Sequence, residues 1–338
     1  MTTPSDDSQE SSRNVRPPDG AQPMGAGDLI GEMGHDPVLH DQVLNALFPA
    51  GASPQTILDC TLGRGGHALA IANRLAEGSV LIALDRDHRN LQFAAKRLAA
   101  VSGKVRFFHA NFSDFPDVLK EIAVDRVDGI LADLGVSTNQ LFDPQYGLSF
   151  QQDSPLDMRL NADDPFTAAD LVNTWPEEQI ANTLYELADE RYSRRIARKI
   201  GEVRAISPIQ TTGRLAELVR QVVPRIKPRR HNAPRSSAES IDPATRTFLA
   251  LRMAVNREVD NLRQLLDQAP RYLAPGGRLA VISFQSTEDR IVKHALRRLS
   301  EEGQLEVLTK KPIEPTEDEI ARNPRSRSSK MRVAQRTA

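Results

Sequence analysis

Thr56-Ile57-Leu58-Asp59-Cys60-Thr61-Leu62-Gly63-Arg64-Gly65-Gly66-His67 is the stretch on which the reading of the fold turns. A short apolar run ends in an acid, passes through three glycines, and enters the helix-like Ala68–Leu75. Glycines at a strand-to-helix turn tolerate positive φ and let backbone approach a ligand closely. The spacing of Gly63, Gly65 and Ala68 fits the dinucleotide fingerprint G-x-G-x-x-G/A, so the loop alone does not choose between cofactors.

Outward from this loop, further runs read as strands: Val80–Leu84, Val105–Ala110, Val127–Ala132, Arg278–Phe284, Leu305–Thr309 and Met331–Ala334. With Thr56–Cys60 they make seven. Helix-like stretches such as Asn90–Ala99 separate the first four, the alternation of a doubly wound parallel sheet. Strands four and five lie about 145 residues apart, whereas a crossover needs about a dozen. An insertion is therefore expected. Its helices read as Ala168–Asn173, Glu177–Leu187, Ser193–Arg204 and Thr212–Val223, followed by a loop broken by Pro224, Pro228 and Pro234. Asp242 is expected to cap a returning crossover helix, with Pro243 at its first position. Phe248, Leu251, Val255, Val259, Leu262 and Leu266 are expected to form one buried stripe along it, ended by Pro275-Gly276-Gly277. The expected organisation is a tail at 1–30, a Rossmann-like α/β domain at 31–147 and 241–338, and a helical insertion at 148–240.

Residues 1–30 are rich in Ser, Pro, Asp and Gly without an apolar run, which predicts a disordered tail rather than a signal peptide. No stretch approaches the roughly 20 apolar residues of a membrane span. The single cysteine, Cys60, excludes an intramolecular disulfide and a multi-cysteine zinc site, so no metal is expected and a reducing, cytoplasmic setting is. The net charge of −1 hides a segregation: Arg191–Arg235 holds thirteen Lys/Arg against two acids. Arg322–Arg336 adds six more with none, so a polyanion partner is one expectation and a solvated helical surface the other.

Asp85 ends the second strand 22 residues after Gly63, where an acid takes ribose hydroxyls of either a nicotinamide or a sulfonium cofactor. Two features favour methyl transfer. Asp59 and Thr61 suit a cationic or amino-bearing ligand better than a pyrophosphate, and Asp133-Leu134-Gly135 puts a carboxylate at the end of strand four. His67 could touch the cofactor or simply pack at its helix start. Phe112 could flank an adenine or belong to the core. Trp175 reads as a packing residue of the insertion, and His35 and Asp36 could cover the cofactor or begin a helix.

From about His35 to Arg336 the chain resembles the ribosomal RNA small-subunit methyltransferase H (MraW) family, 16S rRNA cytosine N4-methyltransferases. The resemblance rests on His35–Leu39, Asp59–His67, Asp85–Asp87, Asp133–Ser137, Gly147–Phe150, Pro155–Arg159, Arg194–Ala197, Pro243–Phe248, Val281–Phe284 and Glu288–Lys293. It implies S-adenosyl-L-methionine as cofactor, held by Gly65, Gly66, His67, Asp85, Phe112, Asp133 and Gln140. It also implies an insertion that helps bind 16S rRNA in the small subunit. Asp242 and Gln285 stand where the family usually has histidine, and Tyr146-Gly147-Leu148 where it has Arg-Gly-Phe. Monomer and homodimer fit equally well.

The reaction so implied needs alignment above all, because displacement at a sulfonium is in-line. The exocyclic amine gains positive charge as it attacks, so an acceptor aimed at its hydrogens helps. Asp133 and the carbonyls of Leu134–Val136 are the candidates. C5 chemistry would need a cysteine near the base, and Cys60 is at the wrong end for that. The Ser/Asp-Pro-Pro-Tyr motif of DNA amino-methyltransferases is absent at strand four, and a non-catalytic assembly factor is a further alternative.

Overall fold

The structure is a computed structural model that describes residues 14–15, 37–224 and 242–337. The remainder of the expected tail, His35 and Asp36, and the basic loop with Arg225, Lys227, Arg229 and Arg230 lie outside the described residues. Two compact units emerge. One holds the described residues up to Gly135 and from Asn261 on, the other Val136–Asp260.

In the first unit, β1 (Asn14–Val15), α1 (His40–Leu47), β2 (Thr56–Asp59), α2 (Gly66–Arg74), β3 (Val80–Asp85), α3 (His88–Arg97), β4 (Val105–His109), α4 (Phe115–Glu121) and β5 (Val127–Asp133) follow in sequence. The sheet runs β1-β4-β3-β2-β5, then β6 (Leu273–Ser283), β8 (Lys330–Arg336) and β7 (Leu305–Val307). Pairs from β4 through β6 are parallel, and β8 is antiparallel to both its neighbours. Chain progression reverses between β2 and β5. That switch point opens the crevice beyond the carboxyl ends, where ligands of such sheets bind.

The central strands are apolar on both faces because helices cover both. Leu58, Ile82, Leu84 and Phe108 enter one core with Phe115, Leu262 and Leu265. Their chain neighbours Ile57, Leu81, Ala83 and Phe107 enter the other with Val43 and Ile71. Period-two alternation thus feeds two cores from one sheet.

Three expectations change. Asn14 and Val15, inside the segment read as a disordered tail, pair antiparallel with Phe108 and Phe107, adding an eighth strand. β4 would otherwise be an edge with open backbone groups, and two residues are too few to leave a periodic signal. β6 begins at Leu273, so Pro275-Gly276-Gly277 lies within the strand, where the register with β5 shifts between Val127 and Gly129. The expected single helix after Asp242 is two. Ala244–Val255 and Glu258–Tyr272 meet at Arg257, whose φ of 51° no continuous helix permits. The stripe is therefore divided: Phe248 and Leu251 join the second unit's core, Leu262 and Leu266 the first's.

The second unit contains α5 (Thr138–Phe142), α6 (Ala168–Thr174), α7 (Glu177–Ala188), α8 (Ser193–Arg204), α9 (Thr212–Val222) and α10 (Ala244–Val255), and α11 (Glu258–Tyr272) follows in the chain. Its bounds, Val136 and Asp260, lie outside 148–240 because Tyr146, Phe248 and Leu251 are part of its apolar core. Asn256 locks it. Its Oδ1 accepts the Leu160 amide at 3.0 Å, and Nδ2 donates to the Met158 and Arg252 carbonyls at 2.8 Å each. Asp242 Oδ1 accepts the Ala244 amide as a cap does, although helical geometry starts at Pro243.

Candidate active site

Leu62 donates its amide to the Leu84 carbonyl, and Cys60 to that of Leu131, so the glycine loop leaves the sheet tied to both neighbouring strands. Gly65 has φ 76°, and a Cβ there would lie 2.6 Å from Leu98 Cδ1. Its neighbour Gly66 would meet Pro37 Cγ at 2.8 Å. Both positions exclude a side chain, Gly65 by conformation and contact, Gly66 by contact. Asp85 fastens the loop from the other side. Its Oδ2 accepts the Gly63 amide at 2.7 Å, its Oδ1 the Asp87 amide at 2.8 Å. Burial still holds its carboxyl up at about 7, above the ordinary 3.8, although these hydrogen bonds pull it down.

Across the switch point, Asp133 ends β5. Its amide donates to Thr61 Oγ1 at 2.6 Å, joining the two strand ends. Asp133 Oδ1 is buried and without a hydrogen-bond partner among the described residues, while Oδ2 lies 3.6 Å from His67 Nε2, itself buried and unpartnered. Two further carboxylates bear on this point. Asp59 is buried at the end of β2, with Oδ1 accepting the Thr61 amide at 3.0 Å. Glu288 is buried in the first turn of α12 (Ser286–Glu301), its Oε2 accepting the amides of Phe284 and Gln285 at 3.1 Å each. Desolvation first, then the charges of Asp59 and Glu288, push Asp133 up to about 8. Desolvation likewise raises Asp59 to about 7 and, with nearby His40, lowers His67 to about 3. A quarter of the Asp133 side chain meets solvent, yet Oδ1 does not.

The structure thus gathers Gly65, Gly66, His67, Asp85 and Asp133 at one sheet edge. Phe112 follows β4 at the same edge and packs, partly buried, against the core beneath the sheet. Gln140 belongs to the second unit, where its side chain accepts the Ser137 amide at 2.9 Å in a capping box. Asp59 is more than a polar group ahead of the glycines, because its charge acts on Asp133. Glu288 enters the sequence reading only within the family-matching Glu288–Lys293, and its place three residues into a cap at Gln285 is the signal that singles it out. Cys60 is buried among core side chains, and its thiol is raised well above its ordinary value by desolvation and Asp59. Such a thiol is a poor nucleophile.

In the second unit, Trp175 stacks on Phe166, with centroids 6.0 Å apart, and packs against the core. On α8, Ile196, Ala197 and Ile200 face inward while Arg194, Arg195 and Arg198 are exposed. Among the described residues, no group of three His, Cys, Asp or Glu is arranged to hold a metal ion, and no helix is long and apolar enough to cross a membrane.

A parallel sheet with its last strand laid antiparallel between β6 and β7, a glycine loop after β2, and carboxylates ending β3 and β5 together define a class I S-adenosylmethionine-dependent methyltransferase. The profile of the MraW methylase family matches residues 32–337. The chain belongs to that family. A protein of Cyanothece sp. named ribosomal RNA small subunit methyltransferase H is 47% identical over 311 residues, covering 91% of this chain and 97% of its own. One of the same name from Koribacter versatilis is 45% identical, over 91% and 95%. Among solved structures, a putative rRNA-methylase from Clostridium thermocellum matches with a TM-score of 0.40 at 10% identity, over 88% of this chain and 94% of that one.

Proposed function

We propose that the protein methylates the N4 amino group of a cytidine in 16S rRNA, in the cytoplasm, on the assembled small subunit. The relatives' shared name supports a small-subunit rRNA substrate. One observation carries the choice of an amine: a buried carboxylate oxygen, Asp133 Oδ1, without a partner at the mouth of the switch point. An orphaned acceptor there suits the hydrogens of an attacking amine. With Asp133 at about 8, it is also strong enough to receive the amine's proton near neutrality. The state of Cys60 argues against the C5 route, which needs a reactive thiol.

The residues present fit S-adenosylmethionine, which supplies an activated methyl on a cationic sulfur. The glycine loop offers close backbone approach at Gly65 and Gly66, and the buried carboxylates of Asp59 and Asp85 with the half-buried one of Asp133 complement positive charge. Asp85 receives the ribose hydroxyls and His67 and Phe112 complete the cofactor site, while Gln140 is assigned to it through the family resemblance alone. The exposed arginines of α8 bind RNA phosphates. Tyr192 is the one aromatic residue between Arg191 and Arg235, so base stacking along this stretch has little to work with and folded RNA shape is read instead.

The test is tritiated methyl transfer to assembled small subunits and to short RNA or DNA of the same sequence, followed by nucleoside analysis. N4-methylcytidine, formed efficiently only on the assembled particle, is expected. Comparable rates on naked oligonucleotides would sink the shape readout, and methyl on C5 or on adenine would overturn the assignment.

A further inference from the structure

His67 Nε2, buried and without a hydrogen-bond partner among the described residues, faces Asp133 Oδ2 at 3.6 Å. The other side of the ring is committed, because His67 hydrogen-bonds the Val38 backbone. With Nε2 unpartnered, that bond falls to Nδ1, and a carbonyl can only accept. Nδ1 therefore carries a hydrogen, and in the neutral ring Nε2 holds the lone pair. The Val38 carbonyl is in turn held in place. Leu39 follows it with φ 54° and ψ 37°, a left-handed conformation costly for a branched side chain. Glu319, in α13 (Glu317–Arg322), pins that turn by accepting the Leu39 amide on Oε1 at 2.7 Å.

We propose that His67 is a positioning residue for Asp133: its Nε2 lone pair faces Oδ2, so that a proton gained by the carboxyl rests between the two, and Glu319 maintains this through Leu39 and Val38. The proposal rests on the reading of Asp133 as the group that receives the amine's proton. Two facing lone pairs repel while Asp133 is ionised, and one proton between them removes the repulsion. His67 thereby makes Asp133 more basic, in the same direction as the charges of Asp59 and Glu288. The alternative places that proton on the ring, giving imidazolium beside carboxylate. Burial of the ring and the presence of His40 near it oppose that alternative.

Long-range nitrogen NMR of histidine in the cofactor-free wild-type protein tests the tautomer directly. The expected spectrum from about pH 6 to 8 is a neutral ring, hydrogen on Nδ1, with His67 not titrating. The Asp133 carboxyl carbon, identified by its loss in Asp133→Asn, should titrate with a midpoint about one unit lower in His67→Phe, a tenfold loss of proton affinity. His67→Gln, whose amide oxygen can accept the same hydrogen, should recover part of the shift. Glu319→Ala should move the midpoint the same way by less. If His67→Phe fails to fold, the wild-type tautomer and Glu319→Ala decide the matter. An imidazolium, hydrogen on Nε2, or an unmoved midpoint in the folded variants would overturn the proposal. The two readings fail separately, since full turnover by Asp133→Asn removes Asp133 from the chemistry, whereas an unmoved midpoint removes His67 from Asp133.

Discussion

The molecule handles charge in two opposite ways. At the carboxyl edge of the first unit's sheet, Asp59, Asp85 and Glu288 are buried, and Asp133 keeps one oxygen out of solvent. On the second unit, α8 keeps Arg194, Arg195 and Arg198 in water, and nearby Arg214 and Arg220 pair with Glu217 and Asp242. Desolvated charges interact strongly over short distances and feel little salt, whereas exposed ones act over a Debye length and are screened. The first arrangement suits reaction chemistry on one group. The second suits a large polyanion met at many points.

The comparison breaks if the acids prove inert. Asp133→Asn keeps shape and removes the proton acceptor, so kcat should fall by about 10²–10³-fold while cofactor affinity changes far less. Single-turnover methyl transfer beside calorimetric titration separates these, and equal losses in both would make Asp133 a binding residue only. Asp85→Ala should weaken S-adenosylmethionine at least about tenfold without unfolding the protein. The Gly63 bond adds loop loosening to that loss, and unchanged affinity by calorimetry would remove Asp85 from the site.

A third prediction sharpens the electrostatic side. Asp133 and Asp59 are raised from 3.8 to about 8 and about 7, so the folded protein holds protons that the unfolded chain releases. Cofactor-free protein should therefore lose stability as pH rises from about 4 to 8, the sign opposite to that of salt-bridged carboxylates. A cationic sulfur favours the ionised acids. Preference for S-adenosylmethionine over its demethylated, neutral counterpart should grow between about pH 6 and 8.5, by up to about tenfold. A pH-independent ratio would mean that the acids do not face the sulfur. The smallest effect belongs to the exposed side: Arg198→Ser should lower RNA affinity about threefold and flatten the log–log salt slope by somewhat under one unit. A slope that stays put would make this face of α8 ordinary solvated surface.

Much of the sheet was legible because its strands are short β-branched runs between helices, and a strand buried on both faces cannot disguise itself. Ser193–Arg204 was legible to the residue, its apolar positions recurring at helical spacing. What escaped was non-local. Nothing near Glu288 says that β6 lies beside β5, so its bearing on Asp133 appears only once the sheet is assembled. The break at Arg257 escaped because apolar spacing continues across it, although the residues on either side serve different cores. Asp85 was legible as a ligand-facing acid but not as the staple of Gly63, because backbone hydrogen bonds leave no trace in residue type.

The position of β8 bears on how the enzyme comes into being. Residues 330–336 fill an interior place in the sheet, pairing with β6 from Arg278↔Gln335 to Ser283↔Lys330 and shielding that strand from solvent. During synthesis β6 is made some fifty residues earlier and waits with one edge bare, an invitation to foreign strands. A chain cut short before Lys330 keeps that edge open for good. Such a product should be cleared by proteases or lost to aggregates instead of lingering as a half-active methyltransferase. Laying this later strand inside the sheet makes translation through Arg336 a condition of survival.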